Sequence, residues 1–165
     1  AAVRRNSLLD HALRLFTVYG PRQRPDLAIR KFAELIMKDQ PIPMYGDGES
    51  GRDYTYVDDV VDGIIAALTV DLQDSAIYNL GTGRPLLLRQ MIDALEIALH
   101  RTAAISLRSE RSGDVAQTFA DIERARADLL YNPKVSFADG LQRFVVWLHG
   151  RDNPISSPRL LAEIR

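Results

Sequence analysis

Arginine side chains recur in two short segments that are rich in glycine and proline. Arg22, Arg24 and Arg30 lie in or just after the first segment, and Arg52 lies in the second. A guanidinium group stays charged and offers a planar pair of donors that matches a phosphate or a carboxylate. A single arginine is more often a solvated surface residue. Two such segments beside strand ends together predict a site for an anionic ligand.

The predicted elements place both segments at the ends of strands. An apolar, β-type stretch at 13–19 predicts a buried strand that ends at Gly20-Pro21. A helix is expected to begin near Pro25-Asp26, and backbone N–H groups of Leu27 and Ala28 would then help to hold an anion. Strands that alternate with helices along the rest of the chain indicate an α/β protein with a parallel sheet. The further strands are predicted at 52–57, 76–80 and 104–107, and the further helices at 58–68, 85–100, 121–130 and after Ser136.

Helical periodicity assigns a buried side and a solvent-facing side to the first two helices. In the first helix Arg30 and Lys31 are expected to face water, and the buried stripe is Ala28, Ile29, Phe32, Leu35 and Ile36. Asp58 and Asp59 are expected to act as capping acids at the start of the second helix, whose buried stripe is Val61, Ile64, Ile65 and Leu68. Asp53 beside Arg52 is expected to form at most a weak ion pair.

Other chemistries have less support in the sequence. Gly81-Thr82-Gly83 could start a dinucleotide-binding loop, but the third glycine of that motif is replaced by Leu86. A plain turn between a strand and a helix is the favoured interpretation there. The three histidines show no metal-ligand spacing, and Ser7 has no base in view, so neither a metal centre nor a nucleophilic triad is predicted.

Composition excludes several classes of partner. The chain of 165 residues has 21 basic and 22 acidic side chains, so its bulk charge gives no reason to expect nucleic acid or a membrane surface. It contains no cysteine, which removes disulfides and thiolate metal sites and fits a cytoplasmic protein. No apolar run is long enough to span a membrane.

The segments RLFTVYGPRQRPD and YGDGESGRDYTYVDDV resemble the nucleotide-sugar epimerases and dehydratases, which are extended short-chain dehydrogenases/reductases. The first segment is most similar to the UDP-glucuronate 4-epimerases of that family, because Thr17 follows Phe16 where relatives that act on neutral hexoses commonly have asparagine. The resemblance covers roughly residues 13–147. It implies the C-terminal part of a Rossmann-like parallel sheet together with the small substrate-binding subdomain.

The same resemblance implies roles for individual residues. Thr17 and Arg24 would bind the uronate carboxylate of the substrate. Arg52 would contact the diphosphate, with Pro43 and Tyr45 on either side of the uracil. In the segment RSGD, Arg111 would be a second diphosphate ligand and Asp114 would accept hydrogen bonds from the ribose hydroxyls. The candidate substrate-binding residues are therefore Thr17, Arg24, Leu27, Ala28, Pro43, Tyr45, Arg52, Arg111 and Asp114, with no catalytic residue among them.

The first twelve residues depart from the family pattern. They contain neither the tyrosine nor the lysine of the catalytic Tyr-x-x-x-Lys motif. We therefore expect an atypical segment at 1–12, the substrate-binding half of an epimerase at 13–150 and a tail at 151–165. NAD belongs to the full-length family, and this chain alone is expected to hold none and to complete no turnover.

Two classes of function stay open at this point. One is the nucleotide-sugar recognition half of an epimerase, with UDP-glucuronate as the preferred ligand, or the equivalent half of a dehydratase or decarboxylase. The other is a non-catalytic binding module or an inert remnant. The expected partners are a UDP-sugar and further copies of the same chain.

Overall fold

The computed structural model describes residues 11–71, 75–109, 113 and 115–152 of the chain. Strands and helices alternate within these ranges. The strands are β1 (His11–Leu15), β2 (Thr17–Tyr19), β3 (Ile42–Tyr45), β4 (Gly51–Arg52), β5 (Tyr54–Tyr56), β6 (Ala76–Leu80), β7 (Leu86–Leu87) and β8 (Ile105–Arg108). The helices are α1 (Ala28–Met37), α2 (Val57–Thr69), α3 (Leu88–Leu99), α4 (Glu123–Leu129) and α5 (Phe137–Asp152).

Parallel strand pairs dominate the sheet structure. β1 pairs with β6, β2 pairs with β5, and β3 pairs with β8, all in parallel. The short strands β4 and β7 are antiparallel. Each parallel pair joins segments with at least one intervening helix, as a crossover connection requires. The α/β class predicted from the sequence is therefore confirmed.

The single strand predicted at 13–19 is wrong, because the chain changes partner within it. Phe16 lies between β1 and β2; its N–H donates to the carbonyl of Leu80 at 3.2 Å, whereas the N–H of Thr17 donates to the carbonyl of Asp53 at 3.0 Å. Arg14 and Leu15 are exposed, so this part of the stretch is not buried. The change of partner brings Thr17 beside the segment that carries Arg52.

Two groups of buried side chains form the core. The larger group joins α1, α3 and α5 to the aromatic residues of β2 and β5, where Tyr54 and Tyr56 both make edge-to-face contacts with Tyr19. The predicted stripe of α1 is confirmed at Ile29, Phe32 and Ile36. The smaller group packs α2 and α4 against β6, and it contains Val60, Tyr78, Leu80, Leu129 and Tyr131.

The predicted buried stripe of α2 is wrong at three of its four residues, and only Ile64 packs against the core as predicted. Val61, Ile65 and Leu68 are 43%, 52% and 80% exposed, and the buried side consists of Asp59, Val60, Gly63 and Ala67. Gly63 explains why this side of α2 faces the core, since a Cβ at this position would lie 2.9 Å from Leu80 and 3.0 Å from Tyr131. The close packing of small residues thus decides which of the two apolar sides faces the core. Apolar side chains left exposed on a helix favour association.

The start of α2 also differs from its prediction. Its N-cap residue is Tyr56, which makes no side-chain cap, and Asp58 lies in the first turn. The neighbouring Asp59 is buried and accepts hydrogen bonds from the N–H groups of Lys134 at 2.9 Å and Val135 at 3.1 Å. Asp59 therefore connects α2 to the loop before α5.

Helix α5 follows its prediction closely. The Ser136 hydroxyl accepts a hydrogen bond from the N–H of Asp139 at 3.1 Å and donates one to its carboxylate at 2.7 Å, so the expected capping pair forms. The predicted stripe is buried at Leu141, Phe144, Val145 and Leu148. Across the described ranges, neither this helix nor any other combines the length and apolar character that crossing a membrane requires.

Candidate functional site

A cavity of about 230 Å³ opens beside the start of α1 and the strands β3 and β4. Four of the predicted site residues line it, namely Ala28, Pro43, Tyr45 and Arg52. We call it the Arg52 cavity. Pro43 and Tyr45 are alternate residues of β3 and therefore lie on the same face of the strand. Residues more than 20 positions apart in the sequence thus meet at one place, as the prediction required.

Thr17 lines an adjoining cavity of about 430 Å³. Arg52 lines this cavity as well, together with Arg14, Phe16 and Thr118. Arg52 therefore faces both spaces, and the predicted carboxylate-binding threonine and the predicted diphosphate-binding arginine share a wall. The parallel pairing of Thr17 with Tyr54, two residues beyond Arg52, accounts for this proximity.

Arg24 does not line the Arg52 cavity itself, but its ion-pair partner does. Its guanidinium group makes a two-pronged ion pair with Asp26, at 3.1 Å and 2.7 Å, and Asp26 lines the cavity. Both side chains are largely exposed, at 73% for Arg24 and 63% for Asp26. The hydrogen bond from Arg24 lowers the pKa of Asp26, and the same bond raises the pKa of Arg24. An entering anion would have to compete with Asp26 for Arg24.

The start of α1 contributes backbone groups to the site, as predicted. It also contributes a cation that was not predicted from the sequence. Leu27 is the N-cap residue and makes no side-chain cap, and Ala28 begins the helix. Lys31, expected to face water only, is exposed but also lines the Arg52 cavity. It follows Ala28 by three residues, so helical spacing alone places both on one side of the helix. Leu27 itself does not line the cavity.

Arg30 differs from its prediction as a solvent-facing residue. It is 8% exposed, its guanidinium group donates to the carbonyl of Gln23 at 2.6 Å, and it lies 5.6 Å from the ring centre of Trp147. A further ion pair to Glu34 spans one helical turn. Arg30 therefore holds the loop that precedes α1 and is not available as a ligand.

Asp53 is the largest departure from the sequence analysis, which expected a weak ion pair. It is fully buried. Its carboxylate accepts hydrogen bonds from the N–H groups of Thr82 at 2.8 Å, Gly83 at 2.8 Å and Ala120 at 3.0 Å, and from the Thr82 hydroxyl at 2.6 Å. Bonds from backbone donors to a carboxylate are strong in a dry interior. We call this arrangement the Asp53 junction, and it fixes the residue next to Arg52 against two other segments.

The turn Gly81-Thr82-Gly83 does not fit a dinucleotide. The N–H groups of Thr82 and Gly83, which a pyrophosphate would need, are already bonded to the Asp53 carboxylate. A Cβ on Gly81 would collide with Ala120 and approach the Asp53 carboxylate to 2.9 Å, so this glycine serves internal packing. The interpretation as a plain turn after a strand is confirmed.

The tyrosines of the core are poor candidates for a catalytic base. Burial is the first cause that raises the pKa of Tyr19, Tyr54, Tyr56, Tyr78 and Tyr131 above its ordinary value. A raised pKa disfavours the phenolate that proton abstraction requires. Arg111 and Asp114, the remaining predicted ligands, lie outside the described residues.

Comparison with known proteins agrees with the resemblance drawn from the two segments. The sequence profile described as the NAD dependent epimerase/dehydratase family matches residues 9–81. A UDP-glucuronate 4-epimerase from Thermodesulfobacterium geofontis is 40% identical over 136 residues, which are 82% of this chain and 42% of that protein. An uncharacterized protein from Methanocaldococcus jannaschii is 42% identical over 135 residues, or 82% of this chain and 41% of the relative.

A solved structure shows the same fold. UDP-glucuronic acid 4-epimerase from Bacillus cereus, in complex with UDP-glucuronic acid and NAD, superposes with a TM-score of 0.80 at 36% identity. The match covers 84% of this chain and 45% of that one. The Rossmann-like α/β class is therefore confirmed, and the chain spans less than half the length of the relatives that it matches.

Proposed function

Because the region that these comparisons cover belongs to the NAD dependent epimerase/dehydratase family, we propose that the chain carries the nucleotide-sugar recognition part of a sugar epimerase. The preferred ligand is UDP-glucuronate. Its diphosphate lies against Arg52, its uracil lies between Pro43 and Tyr45, and its uronate reaches Thr17 and Arg24. Arg111 and Asp114 complete the diphosphate and ribose contacts in this proposal.

One observation carries the proposal: Arg52 lines two adjoining cavities, of which one contains the predicted uracil residues Pro43 and Tyr45 and the other contains the predicted uronate residue Thr17. A diphosphate joins a nucleoside to a sugar, so its ligand should lie between the two binding regions. The fixed charge and planar donors of arginine suit this position. Lys31 and Arg14 add positive charge to the two cavities, which favours a ligand with several negative charges.

The proposal assigns recognition to this chain and no chemical step. NAD supplies the hydride acceptor in the family, but the turn at 81–83 does not fit it. None of the six tyrosines begins a Tyr-x-x-x-Lys motif. The residues of this chain bind and orient the sugar nucleotide, which is the positional part of catalysis.

Calorimetric titration with UDP-glucuronate tests the role of Arg52. We expect Arg52→Ala to weaken binding about 10-fold to 100-fold, because a charge-assisted hydrogen bond contributes about 1.5–3 kcal/mol. Arg101→Ala is the matched control, since Arg101 is an arginine that lines neither cavity; its own partner is Asp39, at 2.9 Å. Equal affinities of the two variants, or no binding by the unchanged chain, would contradict the proposal.

Comparison of UDP-glucuronate with UDP-glucose tests the uronate contacts. We expect Arg24→Ala to weaken binding of UDP-glucuronate by about 10-fold while leaving UDP-glucose affinity within about twofold, because only the former ligand has a carboxylate. Thr17→Val, which removes one hydroxyl at similar volume, should act in the same direction with a smaller effect. A loss that is equal for both ligands would assign Arg24 to the shape of the loop instead.

A further inference from the structure

A separate cavity of about 380 Å³ lies on another side of Tyr54. Three of its lining residues are basic, namely Arg84, Arg126 and Lys134, and they come from three different segments. No acidic side chain is among the described residues that line it. We call it the Lys134 cavity. Its volume is within the range of small-molecule sites, which is roughly 300–1,000 Å³.

Buried carboxylates hold the two loops that form its walls. The Asp53 junction fixes Thr82 and Gly83 directly before Arg84. Asp59 accepts the N–H groups of Lys134 and Val135, which anchors the opposite loop. Because both loops are tied to the core, the backbone that carries Arg84 and Lys134 is held in place before any ligand arrives. Such preorganisation lowers the entropic cost of binding.

The charge of the cavity points to a ligand with more than one negative charge. Arg126 is already paired with Glu123 at 2.9 Å, so part of its charge is balanced. Arg84 and Lys134 are exposed, and neither Asp53 nor Asp59, which hold the two loops from the buried side, is among the residues that line the cavity. The beginning of α5, at Ser136 and Phe137, also lines the cavity and adds the positive end of a helix of 16 residues. A phosphate group matches the guanidinium of Arg84 and the ammonium of Lys134.

We propose that the Lys134 cavity binds a phosphorylated small molecule. The site is separate from the Arg52 cavity: the only described residue that lines both is Tyr54, whose buried ring forms part of the wall between them. The ligand enters from solvent, places its phosphate between Arg84 and Lys134, and rests its remaining atoms on Pro85, Pro133 and Phe137. Sugar phosphates and free inorganic phosphate share the chemistry that this surface recognises.

Amide chemical shifts of the isotopically labelled chain test the proposal. Glucose 1-phosphate and inorganic phosphate are titrated separately, and the amides of Arg84, Asn132 and Ser136 are followed together with those of Lys31 and Tyr45 in the Arg52 cavity. We expect saturable shifts at the first group of amides with both probes. Tighter binding of glucose 1-phosphate identifies a sugar-phosphate site, and equal binding identifies a site for the phosphate group alone. Absence of saturable shifts at the first group with both probes overturns the proposal.

Single substitutions then test the cations. Lys134→Ala and Arg84→Ala are each expected to weaken binding about threefold to tenfold, which is the effect of one partly exposed charge. Lys38→Ala is the matched control, because Lys38 is an exposed lysine that does not line the Lys134 cavity, and this variant should bind both probes with the affinity of the unchanged chain. Two exposed positions are used so that the test survives if one variant fails to fold. Equal affinity in the unchanged chain and both variants overturns the proposal, whatever the result for Arg52→Ala.

Discussion

The Asp53 junction and the loop around Arg24 both flank the proposed substrate site, but they are built in opposite ways. At the junction, a carboxylate with no solvent exposure receives bonds from three backbone N–H groups and from the hydroxyls of Thr82 and Thr55. In the loop, a carboxylate that is 63% exposed receives both of its side-chain bonds from one arginine. Bonds to the buried group are unscreened, whereas water and salt weaken the exposed pair.

The difference separates two tasks in ligand recognition. The junction fixes the backbone beside Arg52, so the group proposed to bind the diphosphate is positioned in advance. The Arg24–Asp26 pair can open at little cost because it is solvated. Arg24 can therefore exchange its carboxylate partner from Asp26 to a ligand. A fixed Arg52 suits the diphosphate, which nucleotide sugars have in common. An exchangeable Arg24 suits the sugar, which differs from one nucleotide sugar to another.

Substitution of Asp53 should have the largest effect. We expect Asp53→Ala to lower the free energy of unfolding by about 3 kcal/mol, because one buried and two partly buried N–H groups lose their acceptor. Urea denaturation followed by circular dichroism measures the change. Asp26→Ala is the control from the exposed loop and should leave stability nearly unchanged. Similar losses of stability in the two variants would show that the Asp53 junction stabilises the fold no more than the exposed Arg24–Asp26 pair does.

A methyl group at Gly81 should disturb the same junction by sterics alone. We expect Gly81→Ala to cost about 1–3 kcal/mol, since the added Cβ meets both Ala120 and the Asp53 carboxylate. Gly150→Ala is the matched control because a Cβ there has no neighbour within 4 Å, and helix propensity should make it stabilising by about 0.5–1 kcal/mol. Thermal unfolding of both variants should therefore shift in opposite directions. A Gly81→Ala protein with unchanged stability would show that the Asp53 junction accommodates the added methyl group without a measurable cost.

Alkaline titration should reveal the five buried tyrosines. Unfolded tyrosines ionise near pH 10, and the folded chain raises the pKa of five of them through burial. Because the folded state then holds these protons more tightly, their stabilising contribution is complete below about pH 10 and is lost as the pH rises further. Phenolate absorbance should therefore appear together with unfolding. Ionisation of all six tyrosines near pH 10 with the fold intact would contradict this expectation.

The smallest effect is expected at Asp26. Its pKa is lowered chiefly by the hydrogen bond from Arg24, so Arg24→Ala should raise it towards the value of an unpaired aspartate. The contribution of the pair is present above that ordinary value and is lost as the pH falls. Carboxyl carbon chemical shifts measure the titration directly. An identical Asp26 titration in the variant would mean that the ion pair does not persist in solution, and Arg24 would then be free to meet a ligand without exchange.

Local patterns predicted most of the secondary structure. β6, β8, α3 and α4 lie within about two or three residues of their predicted bounds, and the buried stripes of α1 and α5 are confirmed. The failures share a cause. Arg30, Asp53 and Asp59 are charged residues that the pattern assigned to solvent, a weak ion pair or a helix cap, yet they are buried against partners distant in the sequence. The local sequence pattern around these residues does not predict such distant partners.

Residue types and spacing alone determined the family resemblance and the choice of arginine, threonine and tyrosine as ligand groups, because those depend on chemistry that each side chain carries by itself. Tertiary structure decided which of these groups meet. It split the first predicted strand so that Thr17 pairs beside Arg52, turned the large apolar side of α2 outward and closed the turn at 81–83 onto Asp53. Each of these outcomes depends on long-range packing or on satisfying buried backbone donors, which involve residues far apart in the chain.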